Sequence, residues 1–354
     1  MSPLGAPPPT LTAPQGAGTL YVSLPIGDGL ERLLSRVGQL GHEAKRLDVG
    51  NAASLRFGEG GLSGLLELMS QVLTSEERRE GRALITPGPA PALLDLGDVM
   101  QLDQLIARAR AVWLVELLAE RRYATWFQPI VETRAPHRIY GHECLLRGFD
   151  RAGGIIPPLK IFGEAKTAGL TNEVDWAARI QSLREAKTQG VPGAFFLNFT
   201  PQALNDPEAA LRNTVALVNE LGIPVDRIVF ELTEAEHTLS VAELRDLMSF
   251  YRRAGFRVAL DDLGAGYASL NLIHQLRPDW LKIDMDLVRD VHLDRYKALI
   301  TAKLLELSRD LGVRTVAEGV ETVEELAWLQ KHGADYVQGF YLARPAPKAL
   351  VKLS

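Results

Sequence analysis

From about Tyr123 to the C-terminus, short apolar runs alternate with amphipathic stretches of helical length. The runs are ATWFQPIV, RIYGHECLL, AFFLNFT, RIVFELTE, RVALDD, WLKIDM, RTVAEG and DYVQGFYL. Their length suits buried strands, and the alternation is that of repeated β-α units. Eight such runs between residues 123 and 354 match the size of a (β/α)8 barrel. The expected fold is therefore α/β: a TIM-like barrel preceded by a smaller α/β domain.

The N-terminal part has a different pattern. Residues 2–17 (SPLGAPPPTLTAPQGA) are rich in Pro, Ala and Gly, a composition that buries little, so residues 1–17 are expected to be a disordered tail. TLYVSLP, from Thr19 to Pro25, reads as a strand. Leu30, Leu33, Leu34, Val37 and Leu40 then fall at helical spacing behind Asp28, a candidate helix cap. A second helical stripe runs through Leu62, Leu65, Leu66, Met69, Val72 and Leu73, and RALIT (Arg82 to Thr86) reads as a buried strand. These elements define a small domain over 18–98. The stripe Leu102, Leu105, Ile106, Ala109, Val112 and Trp113 predicts a linker helix within 99–122, leading into the barrel at 123–354.

Composition narrows the function. The chain of 354 residues is 46% hydrophobic and 23% charged with a net charge of −5, which supports large cores and argues against a nucleic-acid polymer as partner. Its single cysteine, Cys144, has no partner for a disulfide or thiolate metal site, which suits a cytoplasmic location. No run approaches the roughly 18 apolar residues of a membrane span, so no membrane insertion is expected.

The candidate chemistry lies where the apolar runs end. Glu143 follows IYGH, Asn198 follows AFFL, Glu231 follows IVF, and Asp261 and Asp262 follow VAL. Lys282 and Asp284 sit in WLKID, where a spacing of two on one strand would point both the same way. Glu318 follows TVA, and Gln338 follows YV. In a barrel these positions converge on the C-terminal face of the strands. So many carboxylates in one place repel one another unless cations neutralise them. With oxygen donors throughout and no histidine pair at metal spacing, two Mg²⁺ or Mn²⁺ ions are favoured over Zn²⁺, and such a pair suits phosphodiester hydrolysis. An acid at a strand end is more often a cap or a solvated turn residue, but that reading does not account for a series of them in order. His142, next to Glu143, should point to the opposite face and be structural. Gly264-Ala265-Gly266 lacks the rest of a dinucleotide fingerprint and reads as a flexible loop.

Together these segments resemble the EAL-domain cyclic di-GMP phosphodiesterases between about Thr125 and Pro345. The matching motifs are FQPIV (127–131), ECLLR (143–147), LNFTP (197–201), ELTE (231–234), DDLGAGYASL (261–270), LKID (281–284), AEGVET (317–322) and QGFYLARP (338–345). The resemblance implies hydrolysis of cyclic di-GMP to linear pGpG. It implies Glu143, Asn198, Glu231 and Asp261 as ligands of a first metal, with Asp262 and Glu318 bridging to or completing a second. Lys282 is similar to the family lysine that orients or deprotonates the attacking water, and Glu321 and Asp284 resemble further acidic positions of the site. Gln338 resembles an amide near metal and substrate, Gln128 and Arg147 resemble substrate contacts, and Glu234 resembles the anchor of the loop after Asp262. Family members commonly pair through their barrels, so a homodimer is expected.

The departures are modest. Cys144 replaces the middle alanine of the naming motif, Phe127 a common tyrosine, and Leu263 and Ala265 the usual Phe and Thr of the loop. No metal ligand is lost, while the loop changes put in question how the loop couples a dimer interface to the site. Cys144 is read as a small buried filler rather than a redox thiol. Two other functions compete with catalysis: a receptor that binds cyclic di-GMP without cleaving it, which would normally lack some of these acids or the lysine, and an interaction scaffold that binds no nucleotide. The 18–98 domain carries no cofactor fingerprint; it is read either as a sensory or partner-binding, regulatory module or as an extension that only stabilises or dimerises the barrel.

Overall fold

The computed structural model describes residues 16–48, 50–88, 90–200, 207–233, 240–264 and 269–353. The chain divides into two compact units. Among the described residues, one gathers those up to Arg122 with Leu159–Thr171, and the other holds Tyr123–Pro158 and those from Asn172 onward.

The first unit is an antiparallel sheet with helices. In chain order it comprises β1 (Gly18–Ser23), α1 (Gly29–Gln39), β2 (Ala44–Arg46), β3 (Ala52–Phe57), α2 (Gly61–Val72), α3 (Ser75–Glu80), β4 (Arg82–Thr86), β5 (Met100–Gln101), α4 (Leu102–Arg110) and α5 (Val112–Ala119). The sheet order β2-β3-β1-β4-β5 places β1 in the middle, as in a split β-α-β arrangement. Leu20 and Val22 of β1, Leu30, Leu33 and Val37 of α1, and Leu65 and Met69 of α2 share its core. The periodicity identified β1, α1, α2 and β4, whereas β2, β3, α3 and β5 are found only in the structure.

Two details differ from the sequence expectation. Asp28 occupies the N-cap position of α1 but makes no capping bond; its carboxylate pairs instead with Arg32 one turn on. The linker stripe is two helices, because the chain breaks between α4 and α5 at Ala111. Arg108 of α4 donates from Nε to Ala168 O at 2.9 Å and from Nη2 to Gly169 O at 3.2 Å, which ties Leu159–Thr171 into this unit.

The second unit begins with β6 (Tyr123–Glu132), β7 (Ala135–Phe149) and β8 (Ile155–Ile156); the chain then passes through α6 (Pro158–Ala168), which belongs to the first unit from Leu159 on, and returns along α7 (Thr171–Gln189). It continues with β9 (Ala194–Asn198), α8 (Pro207–Leu221), β10 (Ile228–Thr233), α9 (Val241–Arg253), β11 (Arg257–Leu263), α10 (Ser269–Leu276) and β12 (Trp280–Ile283). The last elements are α11 (Met285–Val288), α12 (Arg295–Leu311), β13 (Arg314–Ala317), α13 (Val323–His332) and β14 (Tyr336–Val337).

All eight apolar runs are strands of one closed barrel. The order β7-β9-β10-β11-β12-β13-β14 is parallel, and β6 closes the ring between β14 and β7. β6 runs antiparallel to both neighbours, so the barrel departs from a uniform (β/α)8 repeat. A hairpin turn after Glu132, rather than a crossover helix, connects β6 to β7, and a hairpin makes neighbouring strands antiparallel.

Candidate active site

Five interior positions set the floor. Phe196, Val229, Ala259, Trp280 and Val316 lie in one buried cluster contributed by β9 to β13. Side chains on a strand alternate faces, so the residue two positions further on points into the same interior one layer higher. Those residues are Asn198, Glu231, Asp261, Lys282 and Glu318. Tyr336 packs against the same cluster, and two positions beyond it is Gln338. The sheet therefore stacks an apolar layer beneath a polar one at the strand C-termini.

β11 supplies two acids by breaking the alternation. Its register with β12 shifts between Leu260 and Leu263, and Asp262 has φ 55°, a left-handed conformation that aspartate adopts more readily than most residues. The bulge brings carboxylate oxygens of Asp261, Asp262 and Glu318 within 4.8 Å of one another. Two glycines hold the adjoining turns. Gly319 adopts φ +69° directly after Glu318, and a Cβ on Gly339, after Gln338, would lie 2.1 Å from Val320 O.

Lys282 is the hub. Its Nζ lies 2.7 Å from Glu231 Oε1, 3.1 Å from Asp261 Oδ1 and 2.7 Å from Glu318 Oε1. Burial alone would lower its pKa, but Asp261, Glu143, Glu231 and Glu318 outweigh it and raise it well above the ordinary lysine value. The ammonium is therefore charged. Burial pushes the Glu231 carboxyl far up against the pull of Lys282, and Glu143 and Asp261 add to the rise. Glu318 and Asp261 are raised in the same way, and Asp262 is pushed up to about 6 by burial and by Asp261. Despite the short approach of Lys282, neither carboxylate oxygen of the fully buried Glu231 has a hydrogen bond of good geometry.

Glu143 completes the cluster from β7. Its Oε2 accepts from Gln338 Nε2 at 2.6 Å and its Oε1 from Asn198 Nδ2 at 3.4 Å. The other expected residues lie further out. Gln128, opposite Glu143 in the β6–β7 ladder, is buried and donates to Ala343 O at 3.3 Å. Arg147 stacks over Trp126, 5.3 Å from the ring centre. Glu321 pairs with Arg289 Nη2 at 2.7 Å. Asp284 does not share a strand with Lys282: β12 ends at Ile283, and Asp284 caps α11 by accepting from Asp286 N at 2.8 Å. Its charge still reaches Asp262. Glu234 and Ala265-Gly266 lie outside the described residues.

His142 is fully buried with Nε2 2.8 Å from Leu350 O, in the structural role expected of it. Cys144 is buried, and burial pushes its thiol well up, so it fills space rather than reacting. Two supports went unread in the sequence. Glu325 accepts from the backbone N–H groups of Asp290, Glu321 and Thr322 at 2.9, 2.8 and 3.0 Å. Its signal was present as the capping box Thr322-Val-Glu-Glu325. Asp175, in a buried pair with Arg179, accepts from Thr200 N at 3.3 Å and so holds the segment after Asn198.

The donor set is made of oxygens, crowded with carboxylates of raised pKa, and includes a buried acid lacking good hydrogen bonds. It suits hard divalent cations. The EAL domain family matches residues 111–345, more than half of the chain. The crystal structure of a standalone versatile EAL protein from Vibrio cholerae O395, in its c-di-GMP bound form, is similar with a TM-score of 0.59 and 32% identity. The match covers 66% of this chain and 95% of that one. The probable cyclic di-GMP phosphodiesterase PdeN of Escherichia coli K12 is 28% identical over 238 residues, 66% of this chain and 45% of that protein. The cyclic di-GMP phosphodiesterase RocR of Pseudomonas aeruginosa is 28% identical over 238 residues, 66% of this chain and 60% of that protein. The chain spans less than two thirds of the length of the curated relatives it matches. Among the described residues no helix is long and apolar enough to cross a membrane.

Proposed function

The chain belongs to the EAL-domain family, and on that premise we propose that it hydrolyses cyclic di-GMP to linear pGpG with the help of two divalent cations. The observation that carries this reading is the gathering of Glu231, Asp261 and Glu318 around Lys282, with Glu231 short of hydrogen-bond partners.

In this reading Glu143, Asn198, Glu231 and Asp261 hold one cation, and Asp262 and Glu318 complete a second. Mg²⁺ or Mn²⁺ bound there would lower the pKa of a water and neutralise charge on the phosphodiester. Lys282, whose Nζ lies within 3.1 Å of Glu231, Asp261 and Glu318, is the group that orients or deprotonates the water and bears on the charge developing on phosphate. Glu318, with Oε1 2.7 Å from Lys282 Nζ, is the carboxylate beside that lysine that could take up the water proton. The water oxygen bonds to phosphorus, the bond to the 3′ oxygen breaks, and that oxygen takes a proton to become a hydroxyl. Glu321 supports the turn that carries Glu318. Arg147 offers its guanidinium to a phosphate oxygen, while Gln128, Asp284 and Gln338 contact the nucleotide and Glu234 anchors the following loop. A homodimer through the barrel and a signalling partner for the N-terminal unit belong to the same reading.

The test is incubation of the purified chain with cyclic di-GMP and Mg²⁺ or Mn²⁺, with chromatography of the products beside Glu143→Ala. Linear pGpG from the unmutated protein alone supports the reading. Nucleotide binding without product replaces it with a receptor, and the absence of both binding and product favours a scaffold.

A further inference from the structure

At the opposite ends of the barrel strands lies a cavity of about 980 Å³. Arg257, Trp280 and Arg314, which open β11, β12 and β13, contribute to it together with the loop residue Arg277. His274 of α10 adds a further basic group. Among the described residues that line the cavity Asp279 is the one carboxylate, and its Oδ2 is already engaged by Val258 N at 2.9 Å and Arg252 Nε at 3.4 Å. Arg314 donates to Tyr140 Oη at 3.2 Å and lies over Trp280. Arg257 and Arg277 have no ion pair among the described residues.

A concentration of guanidinium groups without matching carboxylates is unexpected in a chain of net charge −5, because like charges repel unless an anion joins them. Guanidinium forks match phosphate oxygens in pairs. The remaining wall is aliphatic, with Leu270 from α10 and Leu307 and Leu311 from α12. Leu270 and Leu311 are 60% and 54% exposed, so this wall is open to a ligand. The volume falls within the range of about 300 to 1,000 Å³ typical of small-ligand sites.

We propose that this cavity binds a phosphorylated organic anion of about nucleotide size. Arg257 and Arg277 take its phosphate, and its apolar body lies along Leu270, Leu307 and Leu311. The site is separate from the polar mouth at the other ends of the strands, and its occupancy does not depend on hydrolysis.

Calorimetric titration of the full chain in a chelator, with inorganic phosphate, guanosine monophosphate and octyl phosphate, tests the proposal. At least one of the organic phosphates should bind about tenfold or more tighter than inorganic phosphate, and which of them does so tells a nucleotide from an acyl-type ligand. Arg257→Ala and Arg277→Ala should each weaken that binding by roughly 10- to 100-fold and leave pGpG formation unchanged. Should Arg257→Ala fail to fold, the exposed Arg277→Ala decides alone. Equal affinity for inorganic phosphate and both organic probes, no binding at all, or binding unchanged in the folded variants would overturn the proposal. Loss of hydrolysis in the unmutated protein would not bear on it.

Discussion

Glu231 and Glu325 are both glutamates buried in the barrel unit, at 0% and 1% exposure, yet their surroundings differ in kind. Glu325 is enclosed by three backbone N–H donors that use both its oxygens, whereas Glu231 faces a lysine, further carboxylates and no well-formed hydrogen bond. A buried carboxylate with its acceptors filled is a finished piece of structure. One left short, among acids that repel it, is tolerated where a further positive charge completes the arrangement. On the proposed function the difference separates a residue that binds from one that builds, although both are buried acids of the barrel unit.

The sharpest way to break that comparison is to neutralise each acid without changing its size. Glu231→Gln should cut the rate of pGpG formation by roughly 10²- to 10³-fold, the cost of removing one electrostatic contributor from a preorganised site. Glu325→Gln alters only the bonds to the backbone N–H groups of Asp290, Glu321 and Thr322 and should cost about 10- to 100-fold, as for a supporting shell. Initial rates measured by chromatography decide it, and a Glu231→Gln enzyme as fast as the unmutated one would remove Glu231 from the site.

Cation binding separates the two next. A ligand that binds only the folded state at about a hundredfold excess over its Kd adds about 2.7 kcal/mol of stability. Mg²⁺ or Mn²⁺ should therefore raise the melting temperature of the unmutated chain and of Glu325→Gln, but not that of Glu231→Gln. An equal rise in all three would place the ion elsewhere.

Stability without added cation should show the complementary pattern at Glu325. The glutamine amide keeps one acceptor and turns its N–H₂ toward a backbone donor, so Glu325→Gln should lose about 1 to 3 kcal/mol. Urea denaturation in chelator reads this loss, and an unchanged midpoint would mean that the three N–H groups find other partners.

How much of this could be read beforehand follows from the kind of signal each residue carries. Asn198, Glu231, Asp261, Lys282 and Glu318 were legible as positions that converge because each stands at or near the end of an apolar run, and that signal is local. The eight strands were legible for the same reason. The antiparallel direction of β6 was not, because an apolar run has no polarity of pairing. The bulge that turns Asp262 beside Asp261 depends on register with β12, a relation between distant segments. Asp284 was misplaced because β12 ends at Ile283, one residue before it and short of the end of the run WLKIDM. Glu325 was hidden for another reason: its capping-box spacing was visible, but its bond to Asp290 N crosses 35 positions.

The smallest expected effect is the pH dependence of Glu325, and its sign follows from its partners. Burial by itself would raise the carboxyl pKa, but the N–H groups of Asp290, Glu321 and Thr322 outweigh burial and hold it below its ordinary 4.5. A carboxylate with a depressed pKa in the folded state contributes stability that is complete above its unfolded value and is lost as pH falls through its folded value. The advantage of the unmutated chain over Glu325→Gln should therefore be level at neutral pH and begin to shrink once pH drops below about 4.5. The variant cannot lose a charge it does not carry, so denaturation midpoints of the two proteins should converge on acidification. A gap that widened instead would mean the carboxylate is held above its ordinary pKa, in the manner of Glu231, and the contrast between the two glutamates would fail at its structural end.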